Sequence, residues 1–193
     1  MATLPVREQL LEQAQNLIRQ RGYNGFSYAD LAKLVNVKTS SIHYYFPCKD
    51  DLLIAVIDRY TEQAATQMNN IDATLSAYER LKRYAALFDG LPADQVCLCG
   101  MLAANFASLS DRARHAVQSF FRTHESWLNK VVAEGERDGS LHWPGEPDAA
   151  GRYLFAALQG SLMGARLFQT PARMQDVLAS IKATLRPAQK NSQ

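Results

Sequence analysis

Apolar residues recur at spacings of three and four along most of the chain, the 3.6-residue period of helices with one buried face. Leu10, Leu11, Ala14, Leu17 and Ile18 mark the first helix, and Gly22 in "RGYNGF" stops it. Ser27, with Asp30 three residues later, has the layout of a capping box. It opens a short second helix whose stripe is Tyr28, Leu31, Ala32 and Val35. That helix ends at Asn36, a residue that tolerates the left-handed backbone of a tight turn. A third short helix is expected from about Lys38 to Tyr45, with Val37, Ile42 and Tyr45 inward.

After Pro47 the elements lengthen. One helix is expected from Asp50 to about Asn69, and another from Leu75 to Phe88. "GLPADQ" breaks the pattern, and a modest helix follows from about Val96 to Ala107. Ser110 has the place of an N-cap for a long helix that Gly139 closes. Beyond the loop "SLHWPGEP", Asp148 is expected to cap a helix ending near Phe168, and Thr170 with Pro171 starts the last. No stretch alternates as a strand does, and no repeat occurs at a fixed period. The pattern predicts an all-α fold, with three short helices followed by a larger bundle of five or six longer ones.

Composition narrows this little. The chain has 193 residues, 47% hydrophobic and 21% charged, enough apolar material for a packed core. A formal net charge of +2 does not by itself imply a nucleic-acid partner. "MATLPVREQLLEQ" lacks the layout of a signal peptide, and "YLFAALQGSLMGA" is too short to span a bilayer and contains Gln159. A soluble, cytoplasmic protein with no membrane partner is expected. Three cysteines, an odd number, argue for thiols rather than a disulfide scaffold.

The charge pattern changes the picture locally. Two short helices around a tight turn have the proportions of a helix-turn-helix. In that motif the second helix enters the major groove, with short side chains near its N-terminus. Thr39, Ser40 and Ser41 meet the requirement, and His43 and Tyr44 follow one turn later. Lys38 and Lys49 flank them with no acid between residues 36 and 49. The bland reading is also open, because residues 1–60 hold seven basic and six acidic residues and many helical hairpins never touch DNA.

Residues 7–60, through "LLEQAQNLIRQRGYNGFSYADLAKLVNV" and "KTSSIHYYFPCKDDLL", resemble the N-terminal domain of the TetR (TetR/AcrR) family of bacterial transcriptional regulators. That family closes its recognition helix with "Y-x-Y-F" or "Y-H-Y-F", and "HYYF" here exchanges the first two rings. The resemblance implies a helix-turn-helix DNA-binding domain over 1–50, a ligand-binding and dimerisation bundle over 51–188, and a frayed tail over 189–193. It implies that Ser27 and Tyr28 lie near a phosphate, that Thr39, Ser40, Ser41 and His43 face the groove, and that Tyr44 and Lys49 grip the backbone. Lys38 and Thr39 stand where the family often has Ser then Lys, which leaves open which of them reaches a base. Cys48 stands where an N-capping residue is usual, and a thiol caps poorly.

The resemblance also implies partners: double-stranded operator DNA, a small-molecule effector of unnamed chemistry and a second copy of the chain. Tyr84, Phe88, Met101, Phe106 and Phe120 are candidates to line an effector pocket, as are His124, Trp127, Tyr153 and Gln159. Aromatic stripes at helical spacing are also ordinary core. Gly160, Ser161, Gly164 and Ala165, with Val177 and Ile181, are candidates for the dimer interface. Cys97 and Cys99 in "CLCG" are candidate sensor thiols if the free N–H groups of a helix start favour a thiolate. Two residues apart, they point to different sides and cannot easily bridge each other. The four histidines form no zinc-spaced cluster, so neither metal nor cofactor is expected. No catalytic motif appears, and a regulator that is not an enzyme leads. A helical adaptor that lost DNA binding, or a small helical enzyme or carrier using the aromatic cavity, is the alternative.

Overall fold

The computed structural model describes residues 4–88 and 96–185. The expected break over 90–95 and the tail over 189–193 lie outside the described residues. The described residues form α1 (Val6–Arg21), α2 (Tyr28–Val35), α3 (Thr39–Tyr45), α4 (Lys49–Asn69) and α5 (Ala77–Ala86). Then come α6 (Leu98–Ala104), α7 (Asp111–Asp138), α8 (Ala150–Phe168) and α9 (Ala172–Thr184). Among the described residues there is no strand. They fall into two compact units that divide within α4, at Ala64, and within α7, at Phe120. The boundary is expected inside or beside the fourth helix, at about residue 50; by contacts, the start of α4, α6 and the start of α7 group with the first three helices.

In the first unit α1 buries the stripe Leu10, Leu11, Ala14, Leu17 and Ile18. Gly22 ends the helix at φ 79°, a backbone that L side chains rarely adopt, and its N–H bonds back to Ile18 O at 2.9 Å. Ser27 and Asp30 form the capping box in both directions, and Asn36 takes the left-handed conformation at φ 56°. Ser110 caps α7 by accepting from Ala113 N–H at 3.1 Å, and its hydroxyl donates to Asp50 at 2.7 Å. Arg19, buried on α1, donates to Val96 O at 2.8 Å and so ties α1 to the approach of α6. The helix expected over Val96–Ala107 is shorter: α6 stops at Ala104 and a 3-10 turn covers Phe106–Ser108.

The second unit packs α5, the later part of α7, α8 and α9. Its core includes Leu81, Tyr84, Leu128, Val131, Leu154, Phe155, Leu158 and Leu178. Gly139 closes α7 at φ 72°. Asp148 does not cap α8: it lies in a 3-10 turn, and the position before the helix is Ala149, with no side-chain cap. Asn129 on α7 takes over the work, its Oδ1 accepting from Gly151 N–H at 2.6 Å. A free helix-start donor is satisfied across a helix–helix contact, which no local pattern announces.

Candidate nucleic-acid interface

The turn between α2 and α3 is built from backbone bonds. Val37 N–H reaches Ala32 O at 3.0 Å, past the left-handed Asn36, and Phe46 N–H closes α3 on Ile42 O at 2.8 Å. Ile42 is fully buried and Phe46 nearly so, which seats α3 on the unit by one side only. The other side is open. Lys38, Thr39, Ser40, His43 and Tyr44 are exposed, and Ser41 is half-buried. Tyr44 is 81% exposed, the highest value among the large hydrophobic side chains that stand out from the surface. Tyr45, expected inward, is 39% exposed and meets Tyr44 edge-on at 5.1 Å. Lys33 is an exposed cation in the last turn of α2, outside the expected contacts.

Three expected DNA contacts are already engaged within the protein. The Ser27 hydroxyl caps α2 and donates to Asp30 at 2.6 Å; these bonds hold the Asp30 carboxyl below its usual range. Tyr28 Oη donates toward Phe46 O at 2.9 Å and Cys48 O at 2.7 Å, tying α2 to the end of α3. Burial first, then nearby acidic groups, push its phenol well up. Lys49 turns inward: Nζ donates to Tyr23 O at 2.6 Å and Phe26 O at 2.5 Å. It also lies 4.8 Å and 4.2 Å from those residues' ring centroids. Burial lowers its pKa, and Asp30 only partly offsets that. His43 is half-committed, with Nδ1 3.2 Å from Pro47 O and its ring edge-on to Tyr28 at 4.9 Å. Cys48 is better placed than its type suggests, because Asp51 accepts from its N–H at 3.3 Å and its thiol at 3.0 Å. The carboxylate three residues into α4 thus supplies the returning half of a capping box.

Lys49→Met is therefore expected to act on stability. Two carbonyls lose their donor, costing roughly 2 kcal/mol. Thermal unfolding would show a lowered midpoint, while the salt slope of DNA binding stays as in the parent. A slope reduced by about one would instead return Lys49 to the phosphates.

A one-sided short helix after a left-handed turn is the geometry of DNA-reading helix-turn-helix heads. Residues 10–56 match the family model described as bacterial regulatory proteins, tetR family, and residues 77–181 match the tetracyclin repressor-like C-terminal domain. The chain belongs to the TetR family. It is similar to the HTH-type transcriptional repressor DhaR of Mycobacterium sp. (strain GP1), 25% identical over 99% of this chain and 98% of that one. It is also similar to the repressor NemR of Escherichia coli K12, 25% identical over 91% and 92%. A solved TetR transcriptional regulator from Legionella pneumophila superposes with a TM-score of 0.86 at 31% identity, covering 96% of this chain and 100% of that one. The protein is a TetR-type transcriptional regulator. Among the described residues no helix is long and apolar enough to cross a membrane.

The expected pocket residues of this TetR-family chain fall in both units. Tyr84 is the hub of a ring cluster in the second unit: it stacks on Trp127 at 5.0 Å and lies 5.5 Å from Phe88. Its Oη is 2.7 Å from His124 Nδ1, and His124 stacks on Phe155 at 4.8 Å. Phe155 also meets Phe121 edge-on at 5.1 Å, and Phe121 was not among the candidates. Met101, Phe106 and Phe120 belong to the first unit. Phe106 is exposed under Arg114, and Phe120 packs on Tyr60 at 5.5 Å. Tyr153 lies on the outer side of α8 against Trp143 at 5.3 Å. Gln159 is half-buried, and its Nε2 has no partner among the described residues.

The dimer candidates divide between inward and outward positions. Ser161 is buried, its hydroxyl donating to Leu158 O at 2.8 Å, and Ile181 lines an apolar groove with Leu81, Ala85 and Leu178. Gly164 meets Arg173, while Ala165 and Val177 are half-buried. Gly160 faces open space, in a row with exposed Tyr153, Ala156, Met163 and Leu167. Their spacing along α8 is the signal the small-residue reading overlooked. The expected sensor thiols are both buried. Cys97 precedes α6 and accepts from Tyr60 Oη at 3.6 Å, with no capping bond to the helix. Burial holds the Cys99 thiol well above its usual range. Cys48 is the exposed cysteine.

Proposed function

We propose that this regulator is a cytoplasmic, homodimeric repressor that docks α3 in the major groove of a palindromic operator and is released by a small-molecule effector. The observation that carries the reading is the open face of α3, where Lys38, Thr39, Ser40, His43 and Tyr44 stand clear of a helix seated on Ile42. Lys33 and Lys38 supply cations for flanking phosphates. The apolar row Tyr153, Ala156, Gly160, Met163 and Leu167 on α8 supports pairing with a second copy, and Gly160 admits a close approach. Two half-sites then lie about one helical turn, ~34 Å, or a multiple apart. The tetracyclin repressor-like C-terminal domain matched over residues 77–181 supports the effector-binding part of the reading. The reading needs no catalytic step, in keeping with relatives that are named repressors.

Selection from random duplex DNA, followed by anisotropy titration at two salt concentrations, tests it. The expected result is an enriched palindrome bound in the presence of excess random DNA, with affinity falling as salt rises by a slope of about −0.9 per neutralised phosphate. Failure to enrich any site would sink the proposal.

A further inference from the structure

We propose that Tyr44 is a specificity-determining residue that reads the 5-methyl group of a thymine in each half-site; the inference rests on the DNA-binding reading above. The exposed face of α3 carries Thr39, Ser40, His43 and Tyr44. None of these four has a guanidinium, carboxamide or ammonium, so beyond Lys38 at the N-cap, which can reach a guanine, this face lacks the two-pronged contacts that pick out adenine. The hydroxyls of Thr39 and Ser40 both donate and accept, which makes them poor discriminators on their own. His43 has one ring nitrogen at Pro47 O and its ring braced by Tyr28.

Tyr44 differs from all of these. It is the large apolar group of the face, 81% exposed, and its hydroxyl makes no hydrogen bond among the described residues. Tyr45 meets the ring edge-on at 5.1 Å. In the major groove, the feature that rewards an apolar ring over a hydrogen-bonding group is the thymine methyl. At the position that Tyr44 faces, recognition therefore leans on methyl contact.

The test uses the full chain and the palindrome enriched from random DNA. Each thymine of a half-site is replaced in turn by uracil, which removes only the methyl. At one position the parent should lose about fourfold in affinity, the worth of one buried methyl-sized group, and roughly fifteenfold when both half-sites are changed. Tyr44→Ala should bind the thymine site more weakly and show no uracil penalty there. Tyr44→Phe, which keeps the ring, should retain the penalty. The inference is overturned if no uracil position weakens the parent, or if Tyr44→Ala keeps the penalty, which would hand the methyl to Thr39. An enriched palindrome without a penalty removes this inference alone; no enriched palindrome removes the DNA-binding reading with it.

Discussion

Gly151→Ala is expected to lower the unfolding free energy by about 3 kcal/mol or more, the size of an unrelieved backbone clash in a packed interior. A Cβ built on Gly151 falls on the carbonyl oxygen of Glu125, well inside van der Waals contact, and 2.9 Å from Asn129 Oδ1. The first of these is helix backbone, which cannot swing aside as a side-chain tip can. The second is the group that accepts from Gly151 N–H and stands in for the missing cap of α8. The substitution therefore drives α7 and α8 apart and strips a helix-start donor of its partner. Urea unfolding followed by circular dichroism reads the loss as a shifted midpoint. Gly164→Ala is the control: its Cβ meets Arg173 Cδ at 3.5 Å, ordinary contact. It should be neutral or stabilising by up to about 1 kcal/mol. Equal midpoints for Gly151→Ala and the parent would refute the close approach of the two helices.

The second large effect is on pH. His124 is buried among Tyr84 and Phe155, and burial lowers its pKa from 6.5 to about 4. Between those values the unfolded chain binds a proton that the folded one does not. Stability is therefore whole above the unfolded pKa, falls as pH drops through 6.5, and reaches its full loss below about 4. The loss is about 3 kcal/mol from the size of that shift. Urea midpoints at pH 7 and pH 4.5 should separate more for the parent than for His124→Phe, which keeps a ring on Phe155 and cannot titrate. The variant leaves the Tyr84 hydroxyl without its His124 partner at both pH values, so that cost cancels in the comparison. Identical pH dependence in the two proteins would refute a buried, neutral His124.

Both effects concern residues that periodicity treats coarsely. Gly151 sits two residues inside a helix, where sequence reasoning sees only a weak helix former. Its necessity comes from Glu125 and Asn129, more than twenty residues earlier. His124 was legible as a polar group on an apolar stripe, but its partners Tyr84 and Phe155 lie on other helices. The head shows the same division. The capping box at Ser27 and Asp30, the left-handed Asn36, and the outward Thr39, Ser40 and Tyr44 follow from local rules. The inward turn of Lys49 does not, because Tyr23 and Phe26 reach it only after the chain doubles back.

What the sequence by itself determined was the helical period, most of the helix ends, the one-sided character of α3 and the resemblance that the family match bears out. These are short-range properties, decided within a turn or two by backbone bonds, caps and the spacing of apolar groups. Tertiary structure alone decided which polar groups were already spent on the protein. It engaged the Tyr28 hydroxyl and the Lys49 ammonium with backbone carbonyls and buried Cys97 and Cys99 while leaving Cys48 exposed. It also turned Ser161 and Ile181 inward and aligned Tyr153, Gly160, Met163 and Leu167 outward. The physical reason is that a buried donor or acceptor must find a partner, and that partner is chosen by packing between helices, over distances that no local pattern encodes.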